Sequence, residues 1–449
     1  MIELENKKNY YILAKEFVKK FMEYKQIDKR SYKLHLIKTD KFKTCHLEII
    51  FKNKINKEEI TLLNLLGTYL AYTSKKYPRR RDVIEALEDL YDTNFYETNA
   101  RVGQNIFASF IMDFLDPTYC EKKFLDEVLA FPFEFIFNPN FKNTVPDKKI
   151  FDVIVNMVRS SILSSKDSPT NYAFKQAFKT LGENNPASFD MNGDLDILRN
   201  ITPEDLYNYY QKFLKEFSCD IYIIGNLDME HVDMKIAENF KNNYIAPPVT
   251  DYYLNYPLNK KVISKCEVGP YEQSSFIMLY KTDMLTEKEK NYVIHYFNSI
   301  FGSGSLNNKL NQYLREDNGL CYSTYSAYQK IDNLFIVYAG IDAENKDACV
   351  SLVKKALKEM QQGKFADEEI IFAKENLVNQ IKMSLDTETS ILDNYVFHNL
   401  INSPLLSNRI KEIEKITKEE IVNLAKKIKL NSIYLLGGSN AKENKNKQI

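Results

Sequence analysis

The sequence predicts an α+β protein of two similar domains joined by a linker, each a mainly antiparallel sheet with helices packed on one face. Three observations carry this. Residues 201–228 read ITPEDLYNYYQKFLKEFSCDIYIIGNLD and residues 416–440 read ITKEEIVNLAKKIKLNSIYLLGGSN, so both give a cap, an amphipathic helix and an apolar strand ending in glycine. The stretches SYKLHLIKTDKFKTCHLEIIFK (31–52) and KVISKCEVGPYEQSSFIMLYK (261–281) both read strand, turn, strand. Between them, Pro247, Pro248 and Pro257 punctuate 243–261, where fixed φ and missing backbone donors favour an extended connection. At 449 residues and 52.6 kDa the chain is long for one domain. The expected layout is a first domain over 1–242, a linker over 243–261 and a second domain over 262–449. Two helix–strand units could arise by chance, but each closes a half of the chain, which favours duplication.

In chain order, Tyr10, Leu13, Phe17 and Phe21 recur at helical spacing and predict a short amphipathic helix. That segment mixes acidic and basic residues and has no apolar run of the secretory kind, so neither a signal nor a transit peptide is expected. Helices are expected near 59–72, 79–91, 146–164 and 287–301. Thr202 and Thr417 are placed to cap helix N-termini, with acidic residues in the first turn to suit the dipole. Pro203 falls at the first helical position, where no hydrogen bond is lost. The strands 221–224 and 433–436 are apolar throughout, as expected when both faces are covered. The basic run Arg79, Arg80, Arg81 reads as a solvated helix start, with an acidic partner surface as the alternative. Gly302 and Gly304 suggest a mobile turn, and the phosphate-loop pattern is absent there.

Composition narrows the function classes. Lys+Arg 61 balances Asp+Glu 61, so a general nucleic-acid or membrane-surface binder, which needs a basic excess, is not expected. The six cysteines are scattered without a CxxC pair, which reads as reduced thiols in a cytoplasmic setting. No stretch approaches the roughly 18 apolar residues of a membrane span.

The stretch LNQYLREDNGLCYSTYS (310–326) ends a helical run at Gly319, with Arg315 and Tyr322 on either side of that end. The histidines are His35, His46, His231, His295 and His398, and no two can share a helix face. His35 and His46 are expected on neighbouring strands, where they could face each other, but no third metal ligand is apparent. The plain reading of Arg315 is an ion pair with Glu316 or Asp317, with Tyr322 in the core.

Together with KKYP at 75–78, DSP at 167–169 and the repeated helix–strand–glycine units, this stretch resembles the second domain of pitrilysin-type (insulinase-type) zinc peptidases. The resemblance runs from about residue 30 to 440. It is nearest to the smaller two-domain members, such as the processing-peptidase subunits and metal-less bacterial relatives, and more loosely to a Firmicutes member associated with elongation factor P modification. It implies that Arg315 and Tyr322 hold a peptide carbonyl. It also implies where a zinc site would stand. Counting back from KKYP, Asn64 takes the place of the first His, Gly67 that of the general-base Glu and Thr68 that of the second His, while Ser161 takes the place of the third ligand. Asn, Thr and Ser are weak neutral ligands for zinc. No metal or other cofactor is therefore expected in this chain, and zinc is expected in a sister subunit. The implied function is a non-catalytic subunit of a heterodimeric zinc peptidase, with peptide as substrate, a zinc-bearing sister chain as partner and a homodimer also compatible. The alternative is a peptide- or protein-binding scaffold with no proteolytic role.

Overall fold

The computed structural model describes residues 22–438 apart from 143, 144, 166, 283 and 304–306. The helix expected around Tyr10–Phe21 and the turn residue Gly304 lie outside the described residues. The chain forms two compact units, each discontinuous in sequence. The first takes residues up to Ser164, Asp190–Tyr252 and Ser384–Asn402, and the second takes Ser165–Phe189, Tyr253–Met383 and Ser403 onward.

The first unit is built on a six-stranded sheet. Its strands are β1 (Glu23–Asp28), β2 (Tyr32–Lys38), β3 (Thr44–Lys54), β4 (Asn94–Val102) and β5 (Asn105–Leu115), followed after the short pair β6 (Phe141–Lys142) and β7 (Val145–Pro146) by β8 (Ser218–Gly225). The spatial order is β1-β2-β8-β3-β5-β4. The second unit carries β9 (Ile263–Val268), β10 (Ser274–Lys281), β11 (Cys321–Gln329), β12 (Leu334–Ile341) and β13 (Lys429–Gly437) in the order β11-β12-β10-β13-β9.

Read from opposite ends, the two sheets coincide. The series β2, β8, β3, β5, β4 matches β9, β13, β10, β12, β11 in order and direction, with β1 the one addition. In each sheet one pair is parallel, β2 with β8 and β9 with β13, and the other pairs are antiparallel. Gly225 lies opposite Lys38 and Gly437 opposite Val268, so the glycines of the sequence repeat end corresponding strands.

The local signals explain the helices that precede those strands. Thr202 accepts from the backbone N–H of Asp205 while the Asp205 carboxylate accepts from Thr202, and Thr417 and Glu420 repeat this capping box. The expected helices are found at Ile60–Tyr72, Arg80–Asp89, Lys148–Ser164 and Ile294–Phe301. On the basic run, Arg79 pairs with Asp82 and Arg81 with Glu85, and both arginines are exposed, as a solvated helix start requires.

One face of the first sheet, with Leu34, Leu47, Ile49, Phe51 and Ile221 fully buried, forms a core with Leu63, Leu66 and Leu70 of the helix Ile60–Tyr72. Phe213, from the helix Pro203–Glu216, packs 4.7 Å from Phe51 between ring centroids. Burial of such a side chain contributes about 1.5–3 kcal/mol. Each unit also takes one helix from a distant part of the chain. Ala173 and Ala177 of Pro169–Phe178 pack among Ile277, Leu279, Tyr434 and Leu436 in the second unit, and their small side chains allow close approach. The helix Glu388–Ile401 packs on β8 and β3 in the first.

The topology corrects one sequence expectation. His35 and His46 are not on neighbouring strands, because β8 lies between β2 and β3. His46 bonds Asp113 at 2.6 Å, while His35 lies 2.8 Å from the Tyr24 hydroxyl.

Candidate functional site

The helix Ile60–Tyr72, ITLLNLLGTYLAY, is apolar on nearly every side. Asn64, Gly67 and Thr68 interrupt this at i, i+3 and i+4, which makes them one narrow stripe. The stripe meets β4. Asn64 Nδ2 donates to the Met191 carbonyl at 2.8 Å, and Asn64 Oδ1 accepts from Asn99 Nδ2 at 3.1 Å. Thr68 Oγ1 lies 2.9 Å from the Asn64 carbonyl and 3.2 Å from Glu97 Oε1. Asn99 Nδ2 also approaches Glu97 Oε2 at 3.4 Å.

Gly67 has a steric reason. A Cβ built there would stand 2.4 Å from Glu97 Oε2 and 2.8 Å from its carboxyl carbon. The Glu97 carboxyl therefore fills the space directly over the position where the family pattern has its base. Burial pushes the Glu97 carboxyl up to about 7, against a smaller downward pull from Thr68. The hydrogen bond from Thr68 favours the ionised carboxylate, and burial outweighs it.

Ser161 is exposed on the helix Lys148–Ser164, and its carbonyl accepts from Ser164 Oγ at 3.2 Å. The structure thus ties Asn64 and Thr68 together, and among the described residues no hydrogen bond joins Ser161 to them. No group of three or more His, Cys, Asp or Glu among the described residues could hold a metal ion. The donor set fails on chemistry as well. Asn64 and Thr68 offer neutral oxygens already engaged by neighbours, which zinc binds poorly. Glu97 and Asn99 were missed by reading the sequence, because they belong to no linear motif. The alternation of Phe95, Glu97 and Asn99 on one face of β4 was the available signal.

The second predicted element lies in the other unit. The helix Asn311–Glu316 is wound in the π form, with Asp317 N–H donating to the Gln312 carbonyl at 2.9 Å. Gly319 follows at φ +61°, a left-handed conformation that glycine adopts without strain, and turns the chain into β11. β11 is an edge strand whose pairing with β12 slips between Cys321 and Ser323. Tyr322 is the extra residue of that bulge and is 81% exposed. It does not pack in the core. The Arg315 guanidinium carbon lies 5.9 Å from the Tyr322 ring centroid. Arg315 also approaches Glu316 at 3.6 Å, a loose surface pair worth about 0–1 kcal/mol.

Comparison with known proteins agrees with this architecture. Residues 200–377 match the family model described as the peptidase M16 inactive domain. The chain is 24% identical over 420 residues, 90% of its length and 95% of the relative's, to a Bacillus subtilis (strain 168) protein described as a probable inactive metalloprotease, YmfF. A conserved protein from Enterococcus faecalis V583 superimposes with a TM-score of 0.86 at 24% identity, covering 93% of this chain and 99% of that one. An M16 inactive domain from Pseudomonas fluorescens gives 0.75 at 16% identity, covering 93% and 98%. No helix among the described residues is long and apolar enough to cross a membrane. With the duplicated sheets already in view, the chain is similar over residues 200–377 to the M16 inactive domain and over nearly its whole length to a probable inactive metalloprotease.

Proposed function

We propose that this chain is the non-catalytic subunit of a two-chain zinc peptidase and helps hold peptide for a zinc-bearing sister chain. The observation that carries the reading is the Arg315–Tyr322 pair at a bulged sheet edge. Tyr322 is 81% exposed there, beside an arginine with 43% of its side chain accessible. An exposed tyrosine next to an arginine has no packing role to explain it. Arg315 is always charged and offers a rigid fork of donors, and Tyr322 adds a hydroxyl. A peptide carbonyl can accept from both. The edge of β11 supplies further backbone groups, so an extended peptide can add as a strand, a mode that reads main chain more than side chains. The positions where zinc and base would stand have been taken over by a hydrogen-bonded Asn–Thr–Glu–Asn cluster, so the metal and the activated water would come from the sister.

The test is co-purification with a sister chain that carries HxxEH, followed by peptide cleavage with each chain alone and with the pair. The pair should cleave and neither chain alone should. Equal cleavage by the sister alone would sink the reading. A stable pair that binds peptide without cutting it would replace it with the scaffold function.

A further inference from the structure

The first unit contains a cavity of about 530 Å³. That volume is in the range of small-molecule sites, about 300–1,000 Å³. One wall is the proline-bearing strap, with Ile245, Pro248, Val249 and Tyr252. The strap is pinned at both ends. Asn242 Nδ2 donates to the Leu214 carbonyl at 2.7 Å, and Asn105 Nδ2 donates to the Asp251 carbonyl at 2.6 Å. The cavity therefore stands preformed under a fixed strap.

Its charge is one-sided. Lys29, Arg30, Lys33 and Lys52 line it, against one carboxylate, Asp220. Lys52 and Asp220 neutralise each other as a buried pair, and Lys29 bonds Asp233 at 2.8 Å. Arg30 and Lys33 are exposed and remain to meet an anion. A second, independent feature is His35, which also lines the cavity and is 1% exposed. Its Nδ1 lies 2.8 Å from the Tyr24 hydroxyl and 3.2 Å from Asn399 Nδ2, and where both donate to it the ring proton sits on Nε2. Nε2 is buried and has no partner among the described residues. Burial lowers the His35 pKa to about 4, so the ring is neutral and offers that single N–H. An orphaned buried donor costs about 1–3 kcal/mol, which an acceptor bound in the cavity would offset.

We infer that this cavity binds a carboxylate on a short apolar body, with Arg30 and Lys33 meeting the charge, His35 supplying a neutral donor and the strap covering the apolar part. Such chemistry is offered both by the free C-terminus of an apolar peptide and by a small organic acid.

Isothermal titration calorimetry of the full chain separates these sources. The probes are an N-acetylated pentapeptide ending in free phenylalanine, the same peptide as its C-terminal amide, 3-phenylpropionate and inorganic phosphate. Saturable binding of one or both free acids, with the amide at least tenfold weaker, supports the site. The peptide acid alone points to a chain terminus, and 3-phenylpropionate at comparable strength points to a small acid. The Arg30→Ala, Lys33→Ala double variant, altered only at exposed positions, should weaken that binding tenfold or more. Equal binding of acid and amide, binding of phosphate in preference to both acids, no binding at all, or an unchanged affinity in the double variant would each overturn the inference.

Discussion

Replacing Gly67 by alanine tests whether the Glu97 carboxyl occupies the space over this glycine. In the interior of an exposed helix this change normally stabilises by roughly 0.5–1 kcal/mol. Here the added Cβ would stand 2.4 Å from Glu97 Oε2, well inside ordinary contact. The carboxyl is the end of a side chain and can swing away, so the cheaper route decides the cost. Swinging forfeits the contacts with Thr68 at 3.2 Å and Asn99 at 3.4 Å. At about 1 kcal/mol each, less the helix gain, the net result is a destabilisation of roughly 1 kcal/mol. In a Glu97→Ala background the obstruction is gone, and the same change should stabilise by about 0.5–1 kcal/mol. The sign therefore inverts, and a double-mutant cycle should return a coupling of about 2 kcal/mol. Urea unfolding followed by circular dichroism measures all four corners, with the slope held common. If Gly67→Ala proved stabilising in the native background, or equally costly with and without Glu97, the account of this position would be wrong.

The pH dependence of stability gives a second check on the same carboxyl. Its pKa is raised from 4.5 to about 7, so folding binds the proton more tightly, and the stability this contributes is complete below about 4.5 and lost as pH rises to 7. The difference between native and Glu97→Gln unfolding curves should fall across that window, and parallel curves would refute it. In a reconstituted pair, Arg315→Ala should lower kcat/KM by tens- to hundreds-fold, about 2–4 kcal/mol of transition-state stabilisation, as read from initial rates. Tyr322→Phe should cost less, since a neutral hydroxyl bond is weaker than a charge-assisted one, and an unchanged rate for Arg315→Ala would leave the clamp without support. Because Tyr322 is 81% exposed, Tyr322→Ala should shift the urea midpoint of the chain by no more than about 0.5 kcal/mol equivalent. Converting Asn64 and Thr68 to His and Ser161 to Glu should yield no stoichiometric zinc by elemental analysis, because supporting partners would still be missing and Glu97 still fills the space over Gly67.

Much of the fold was legible because it is written twice. Cap, helix, apolar strand and glycine recur in order, and Thr202 with Asp205 and Thr417 with Glu420 form the caps that spacing predicts. The strand openings at 31–52 and 261–281 became β2–β3 and β9–β10. What stayed hidden depends on contacts between distant segments. Nothing local to Pro169–Phe178 or Glu388–Ile401 says which sheet each helix joins, since an amphipathic helix records only that it has an apolar face. The insertion of β8 between β2 and β3 is likewise a pairing choice made about 170 residues away in sequence, as Lys52 opposite Ser218 illustrates. At the site, the pattern pointed to Asn64 and Thr68, which the structure joins through the Asn64 carbonyl. It could not expose Glu97, whose part is set by the register of β4.

The duplication also sharpens what each unit has kept. β4 and β11 occupy the same place, the outer edge beyond the β3–β5 and β10–β12 pairs. On β4 the edge has turned inward chemically, with Glu97 and Asn99 hydrogen-bonded to Thr68 and Asn64 of the helix stripe. On β11 the edge has turned outward, because a one-residue slip at Tyr322 projects an aromatic hydroxyl that no neighbouring strand claims. In a half-buried polar cluster such as the first, substitution of one member removes hydrogen bonds from its neighbours. An exposed bulge such as the second contributes little to stability and is free to be shaped by what it touches. The two edges are thus under different constraints, stability for Glu97 and contact for Tyr322.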